Sequence, residues 1–86
     1  MEIKKGTVVI SKAGHDKGDL LYAVRTQSDM IWVSDGRQRP LSRPKKKNPK
    51  HLIPTSFSLS EEETQTDRGL RKALFKLKSE TQNQGG

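Results

Sequence analysis

Residues 7–34 decide the fold, and they read TVVIS-KAGHDKGD-LLYAVR-TQSD-MIWVS. The blocks rich in β-branched, aromatic and aliphatic residues predict strands over 7–11, 20–25 and 30–34. The segment between the first two strands contains Gly14 and Gly18 and predicts a loop, and TQSD predicts a polar turn. The amino-terminal half is therefore expected to consist of short strands with brief connections.

A hairpin signal follows the third strand at Asp35-Gly36. Asp-Gly suits a type I′ turn, in which both central residues have positive φ. We therefore expect a fourth strand over 37–41, with Pro40 marking an edge strand or a bulge, and a very short fifth strand over 51–54. This spacing of strands favours a small all-β barrel or sandwich, and closing the sheet would remove its exposed edges.

The composition changes after residue 55. Residues 56–66 are polar and predict a linker, within which Ser60 and Glu63 fit a capping box. Four apolar residues then recur at i, i+3, i+4 and i+7, namely Leu70, Ala73, Leu74 and Leu77. This period predicts an amphipathic helix over 67–80 whose apolar face docks on the β domain. Phe75 lies off that face, which leaves open a contact with a partner, and residues 81–86 are expected to be disordered.

Composition limits the class of protein. The chain has 86 residues, a net charge of +7, 29% hydrophobic residues and no cysteine. These values fit one small compact domain, over residues 1–55, and exclude disulfides and cysteine-ligated zinc. The absence of cysteine is ordinary in the reducing cytoplasm, where we expect the protein. Neither a signal peptide nor a membrane span is expected, because the longest apolar stretch, 20–24, is far shorter than the roughly 20 residues that a spanning helix needs.

The positive charge is concentrated in one segment, residues 37–51, which contains seven cations and no acid. The cations are Arg37, Arg39, Arg43, Lys45, Lys46, Lys47 and Lys50. The remainder of the chain is neutral, a pattern typical of a phosphate-binding surface. The alternative is a solvated basic loop that keeps the protein soluble. All four prolines lie between 40 and 54, so residues 42–50 are expected to run extended.

The two kinds of cation are expected to act differently. Arg37 and Arg39 are two residues apart, which places them on one face of the expected fourth strand. Arginine binds phosphate in bidentate fashion or stacks on a base, whereas lysine acts as a point charge. We therefore expect the arginines to orient a bound nucleic acid and the lysines to supply general attraction. In the loop before the second strand, Gly18 is expected at positive φ, and Lys12 and Lys17 are candidate phosphate contacts.

Aromatic and histidine residues offer little sign of catalysis. In so small a barrel we expect Trp32 and Tyr22 in the core, the alternative being that Trp32 stacks on a base. His15 and His51 have no second histidine or cysteine at metal-ligand spacing, so no metal site is expected. Ser11, His15 and Asp16 supply a hydroxyl, an imidazole and a carboxylate, but they crowd one short loop without an oxyanion hole. We expect no enzymatic activity and no cofactor.

Two segments together resemble a known family. Residues 6–11, GTVVIS, followed by residues 14–19, GHDKGD, resemble the KOW motif of ribosomal proteins and transcription elongation factors. Residues 33–41, VSDGRQRPL, followed by residues 44–52, PKKKNPKHL, resemble the fourteen-e family of the archaeal and eukaryotic large ribosomal subunit and the small bacterial KOW proteins related to it. The resemblance covers residues 4–53 and implies an SH3-like five-stranded barrel that binds ribosomal RNA.

The resemblance and the charge pattern together predict a non-enzymatic RNA-binding protein, ribosomal or ribosome-associated, that acts in translation. The expected RNA contacts are Lys12, His15, Lys17, Gly18, Arg37, Arg39, Arg43, Lys45, Lys46, Lys47, Lys50 and His51. The alternative function is an SH3-like protein-interaction module of the translation or transcription machinery, in which the helix contacts a protein such as a ribosomal protein. The free chain is expected to be a monomer.

Overall fold

The structure is a computed structural model that describes residues 3–83. Within that range the chain forms five strands, two 3₁₀ helices and one α-helix. The strands are β1 (Thr7–Ser11), β2 (Leu20–Gln27), β3 (Met30–Ser34), β4 (Lys45–Lys47) and β5 (Leu52–Ser58). The 3₁₀ helices span Pro49–His51 and Glu62–Thr64, and helix α1 spans Asp67–Asn83. No helix in the described range has the length and apolarity needed to cross a membrane.

The strands form one antiparallel sheet in the order β4–β3–β2–β1–β5. The sheet is open, with β4 and β5 at its two edges. The expected five-stranded, mostly-β architecture with a carboxy-terminal helix is therefore confirmed, whereas closure into a barrel is not seen. The short connections between successive strands β1, β2 and β3 explain why these pair as neighbours.

One face of the sheet, here called the inner face, carries the main apolar cluster. Its buried members are Ile3, Val9, Leu21, Ala23, Ile31, Val33 and Leu52. Successive residues of a strand point to opposite faces, so Ile31 and Val33 share the inner face while Trp32 between them points the other way. Burial of this aliphatic set is the main apolar contribution to the stability of the sheet.

The opposite face, here called the outer face, is partly covered by helix α1. Val8 and Tyr22 are buried there against Leu70 and Leu74. Ala73 is also buried and Leu77 is partly buried, so the predicted apolar face of the helix does dock on the sheet. Tyr22 is a core residue as expected.

The helix begins at Asp67, as predicted, and its first turn is capped locally. The Thr66 hydroxyl accepts a hydrogen bond from Gly69 N at 3.0 Å, which satisfies one of the free amides of the first turn. The helix extends to Asn83, three residues beyond the predicted end at 80, and residues 84–86 of the tail expected to be disordered lie outside the described range.

The polar segment over 56–66, predicted as a linker, contains the end of strand β5 and a 3₁₀ helix. Strand β5 continues to Ser58, four residues beyond the predicted end at Pro54. The capping box forms, because Ser60 N donates to Glu63 Oε1 at 3.0 Å and Glu63 N donates to Ser60 Oγ at 3.3 Å. It closes the 3₁₀ helix of Glu62–Thr64, however, and not the start of α1.

The predicted fourth strand over 37–41 is wrong. Asp35 Oδ1 accepts hydrogen bonds from Arg37 N at 2.8 Å and from Arg39 N at 2.9 Å, which folds the chain into a loop after β3. A short acidic side chain that binds nearby amides offers the backbone an alternative to strand pairing. The strand that pairs with β3 is Lys45–Lys47 instead.

The type I′ turn is also misplaced in the prediction. Gly36 has φ of +73°, but Asp35 is not among the residues with positive φ. The two consecutive residues with positive φ are Ser28, at 51°, and Asp29, at 63°, between the paired residues Gln27 and Met30. The tight hairpin of this chain therefore joins β2 to β3, where the sequence indicated only a polar turn.

Gly36 fixes the loop after β3 against the helix, and substitution by alanine tests this contact. A Cβ atom at residue 36 would lie 2.5 Å from Asp67 O and 3.3 Å from Arg71 N, both backbone atoms of α1. We expect Gly36→Ala to lower the free energy of unfolding by the strain of positive φ, about 1–2 kcal/mol, plus about 1–3 kcal/mol of overpacking. The measurement is urea unfolding followed by tryptophan fluorescence.

Gly18→Ala is the matched control. Gly18 also has positive φ, +90°, but a Cβ atom there would meet nothing within 4 Å. The free energy of unfolding of Gly18→Ala should therefore be lowered only by the cost of backbone strain. Equal losses of stability in the two variants would contradict the proposed contact between Gly36 and the helix.

Candidate nucleic-acid interface

The loop between β1 and β2 carries the first group of predicted RNA contacts. Gly18 N donates to Ser11 O at 2.8 Å and Ser11 N donates to Asp19 O at 3.0 Å, so the loop closes tightly on the end of β1. Gly18 has the expected positive φ. The side chains of Lys12, His15 and Lys17 are exposed, as is Gly18. These four residues remain candidate contacts.

Lys47 and Asp16 form a buried ion pair that connects this loop to the edge strand β4. Lys47 Nζ lies 2.6 Å from Asp16 Oδ1, and the two side chains are only 6% and 14% exposed. Lys47 Nζ also donates to Ser11 Oγ at 2.9 Å and to Ala13 O at 3.2 Å, and Ser11 Oγ lies 2.8 Å from Asp16 Oδ1. Three donors of the ammonium group thus have three acceptors, which compensates for removing its charge from water.

Lys47, which the sequence placed among the expected RNA contacts, is therefore buried and ion-paired in this structure. The reason is the alternation of the strand. Lys47 is the register partner of Ile31, which lies on the inner face. The side chain of Lys47 therefore also points to the inner face. Its charge is neutralised by the carboxylate of the loop.

The charge of Asp16 is maintained by the same contacts. Partial burial by itself raises the pKa of the Asp16 carboxyl group. Hydrogen bonds from Lys47 and Ser11, together with the charges of Lys47 and Lys45, outweigh that effect, so the pKa is lowered from its ordinary value of 3.8. Asp16 is therefore ionised at neutral pH, as the ion pair requires.

A shallow groove of about 360 Å³ lies where the loop meets β4. It is lined by Ala13, Gly14, Lys45, Lys46, Lys47, Asn48 and His51. Lys12 N donates to His51 O at 2.8 Å, which holds the loop beside the 3₁₀ helix. Lys46 and His51 are exposed and Lys45 is partly buried, so lysine side chains line a concave surface that can accept an anionic group such as phosphate.

The outer face of the sheet carries a row of three side chains. The sequence indicated two of them, Lys46 as an RNA contact and Trp32 as an alternative stacking residue, but not Arg25. Arg25 on β2 is the register partner of Trp32 on β3, and Trp32 is the register partner of Lys46 on β4. The Arg25 guanidinium carbon lies 4.8 Å from the centroid of the Trp32 ring, and Lys46 Nζ lies 6.0 Å from it. Trp32 belongs to neither apolar cluster and is only partly buried, so the expected core position is wrong. Strict alternation with Ile31 and Val33 was the signal that could have placed it outside.

The remaining basic residues are divided between two local structures. Arg37, Arg39 and Arg43 are exposed in the connection between β3 and β4, so Arg37 and Arg39 do not lie on one face of a strand as predicted. Lys50 and His51 are exposed in the 3₁₀ helix, where Asn48 Oδ1 accepts from Lys50 N at 2.9 Å. The expected extended run over 42–50 is thus found at β4 and Asn48, whereas Pro49 and Lys50 lie in the 3₁₀ helix.

Of Ser11, His15 and Asp16, only Ser11 and Asp16 are hydrogen-bonded to each other. Ser11 and Asp16 bind Lys47, and His15 is exposed. Among residues 3–83 no three His, Asp or Glu side chains come close enough together to hold a metal ion. The arrangement at this loop is suited to holding the backbone in place.

Replacing Asp16 by asparagine tests the ion pair. The change leaves the buried Lys47 ammonium group without a counter-charge. We therefore expect Asp16→Asn to lower the free energy of unfolding at neutral pH by at least about 1 kcal/mol, but by less than the about 3–5 kcal/mol typical of breaking a fully buried pair. Because the folded-state pKa is lowered, the stabilisation is complete above 3.8 and is lost as pH falls through the folded-state pKa. The difference in the free energy of unfolding between wild type and Asp16→Asn should therefore become smaller as the pH is lowered. The measurement is urea unfolding at several pH values.

Asp19→Asn provides the control, because Asp19 is an exposed acid of the same loop. It should keep the stability of the wild type at neutral pH. An Asp16→Asn protein as stable as the wild type at neutral pH would show that the pair contributes nothing to the fold.

Two comparisons with known proteins identify no relative of this chain. Neither a scan of protein-family models nor a search of curated proteins finds a match to this chain. The resemblance to KOW proteins therefore rests on the motifs quoted above.

Proposed function

We propose that the chain is a non-enzymatic RNA-binding protein of the cytoplasm that binds structured ribosomal RNA, as a ribosomal or ribosome-associated KOW-domain protein involved in translation. The observation that carries the proposal is a groove in which lysines of β4 lie against Ala13 and Gly14 of the β1–β2 loop. Lys45 and Lys46 of β4 lie beside the β1–β2 loop, where Lys12 and Lys17 are exposed. Folded RNA presents phosphates from more than one strand segment, which such a groove can contact together.

The rigidity of this groove supports the proposal. The ion pair of Lys47 with Asp16 and the hydrogen bond from Lys12 N to His51 O both join the loop to the basic segment. A cationic surface held in place by the fold loses less conformational entropy on binding than a flexible basic tail. Exposed cations with no acid between residues 37 and 51 then supply the long-range attraction.

We also propose that the curled sheet is an SH3-like barrel left open between β4 and β5. Only residues 48–51 separate these two edge strands in the chain. Lys47 at the end of β4 bonds Ser11, and Ser11 pairs with Leu52 of β5. This side-chain contact from the edge strand β4 to β1, the neighbour of the other edge strand β5, supports a curled arrangement, as does the resemblance to KOW proteins.

The proposal predicts a strong salt dependence of RNA binding. Six cations of the basic segment remain outside the buried ion pair, so the logarithm of the affinity should fall with the logarithm of salt with a slope of at most about −5. Replacing Lys45 and Lys46 together by glutamine should make that slope shallower by about 2. The measurement is fluorescence anisotropy of a labelled structured ribosomal RNA fragment at several salt concentrations.

The matched control removes two charges from the helix by replacing Lys72 and Lys76, both exposed, with glutamine. This variant has the same net charge as the Lys45/Lys46 variant but an intact groove. We expect its slope to stay close to that of the wild type. Wild-type binding without salt dependence, or equal effects of the two double variants, would contradict the proposed RNA surface.

A second candidate function, protein interaction through the helix, is favoured by one observation. Phe75 on α1 is 73% exposed and lines a groove of about 190 Å³ together with Arg37, Arg71 and Leu74. A large exposed aromatic ring beside cations is typical of a contact with another protein.

Variants of the helix and of the basic groove distinguish the two candidate functions. If the helix binds a ribosomal protein, Phe75→Ala should abolish its capture in a pull-down, whereas reversal of charge at Lys45 and Lys46 should leave capture intact. The opposite result would assign the partner to the basic groove.

A further inference from the structure

The row formed by Arg25, Trp32 and Lys46, here called the tryptophan row, has the composition of a site for a planar ring. It lies on the outer face of the sheet, the same face that α1 covers around Val8 and Tyr22. Trp32 keeps part of its surface accessible, and its two neighbours are long, exposed cations. A planar ligand with negative charge on either side matches all three side chains.

A β-bulge produces this arrangement. Ala23 pairs with Val33, but the next paired residue of β2 is Arg25, opposite Trp32, so Val24 is inserted. Without the inserted residue, the alternation of β2 would place Val24 opposite Trp32 and turn Arg25 to the inner face. Bulges re-aim side chains in this way, often at binding sites. The bulge therefore places the Arg25 guanidinium group beside the Trp32 ring.

We propose that Trp32 stacks on an unpaired nucleobase of RNA while Arg25 and Lys46 bind the phosphates on either side of that nucleotide. The inference rests on the proposed RNA-binding function and names the part of RNA that is recognised. In the free protein the two cations lie near the aromatic ring, where they are easily displaced because cation–π contacts at exposed sites are weak relative to base stacking. Stacking tolerates any base, since every base has a π face.

The ligand is an unpaired base because bases within a duplex are already stacked on each other. A-form RNA helices offer proteins their phosphates and 2′-hydroxyl groups, whereas loops and bulges expose the flat faces of bases. The row is also continuous with the phosphate-binding groove, since Lys46 belongs to both. A stem that contacts the groove would thus place an adjoining loop or bulge near Trp32.

Intrinsic fluorescence tests the inference directly, because Trp32 is the only tryptophan of the chain. The full chain is titrated with an RNA hairpin that has an unpaired loop and with a fully paired RNA duplex of the same length. We expect the hairpin to quench the fluorescence in proportion to binding, with anisotropy of a labelled RNA as the independent measure of binding. The duplex should bind through the groove with little quenching.

Variants supply the second readout. Trp32→Leu should weaken hairpin binding about 5- to 150-fold with little effect on duplex binding, and Trp32→Phe should retain most of the affinity. Phe75→Leu removes an exposed aromatic ring outside the row and should bind like the wild type. Circular dichroism and urea unfolding establish that each variant is folded.

The possible failures are distinguishable. Salt-dependent binding of both RNAs by the wild type, without quenching by the hairpin and with no loss in Trp32→Leu, would overturn the stacking site and leave the RNA-binding function standing. Absence of binding to either RNA at low salt would overturn the proposed function and the inference with it.

Discussion

The fold depends on how one lysine is buried. β4 is three residues long and lies at the edge of the sheet, where its pleat turns Lys47 toward the inner face. An ammonium group in that position would be costly without a counter-charge, and Asp16 supplies it at 2.6 Å with Ser11 and Ala13 as further acceptors. This contact joins β4, the end of β1 and the β1–β2 loop. The position of the whole cationic groove follows from it.

The pleat gives three consecutive lysines three different surroundings. Lys47 is neutralised inside, Lys45 lies partly buried at the groove on the same side, and Lys46 points to the outer face beside Trp32. A single basic stretch therefore serves the interior, the groove and the tryptophan row. Counting its cations overestimates the charge available to a ligand, because one of them is already paired.

The sequence predicts the parts of the fold that are governed by local patterns. Strands β1 to β3, the positive φ of Gly18 and the start of the helix at Asp67 follow from β-branched runs, turn chemistry and a helical period. The errors arise where a side chain competes with those patterns or acts at a distance. Asp35 binds amides and prevents the expected strand, and Lys47 and Asp16 meet although 31 residues separate them. The proximity of Arg25 to Trp32 was not predicted, because a bulge that composition does not indicate turns Arg25 outward.

The most direct test of the central claim, that the groove held together by Lys47 and Asp16 is the surface that binds RNA, is an NMR titration of the isotope-labelled chain with a structured ribosomal RNA fragment. The account predicts that chemical-shift changes cluster at the β1–β2 loop, at β4 and at the indole N–H of Trp32, with α1 largely unaffected. Changes confined to the helix around Phe75, with the groove unaffected, would contradict it.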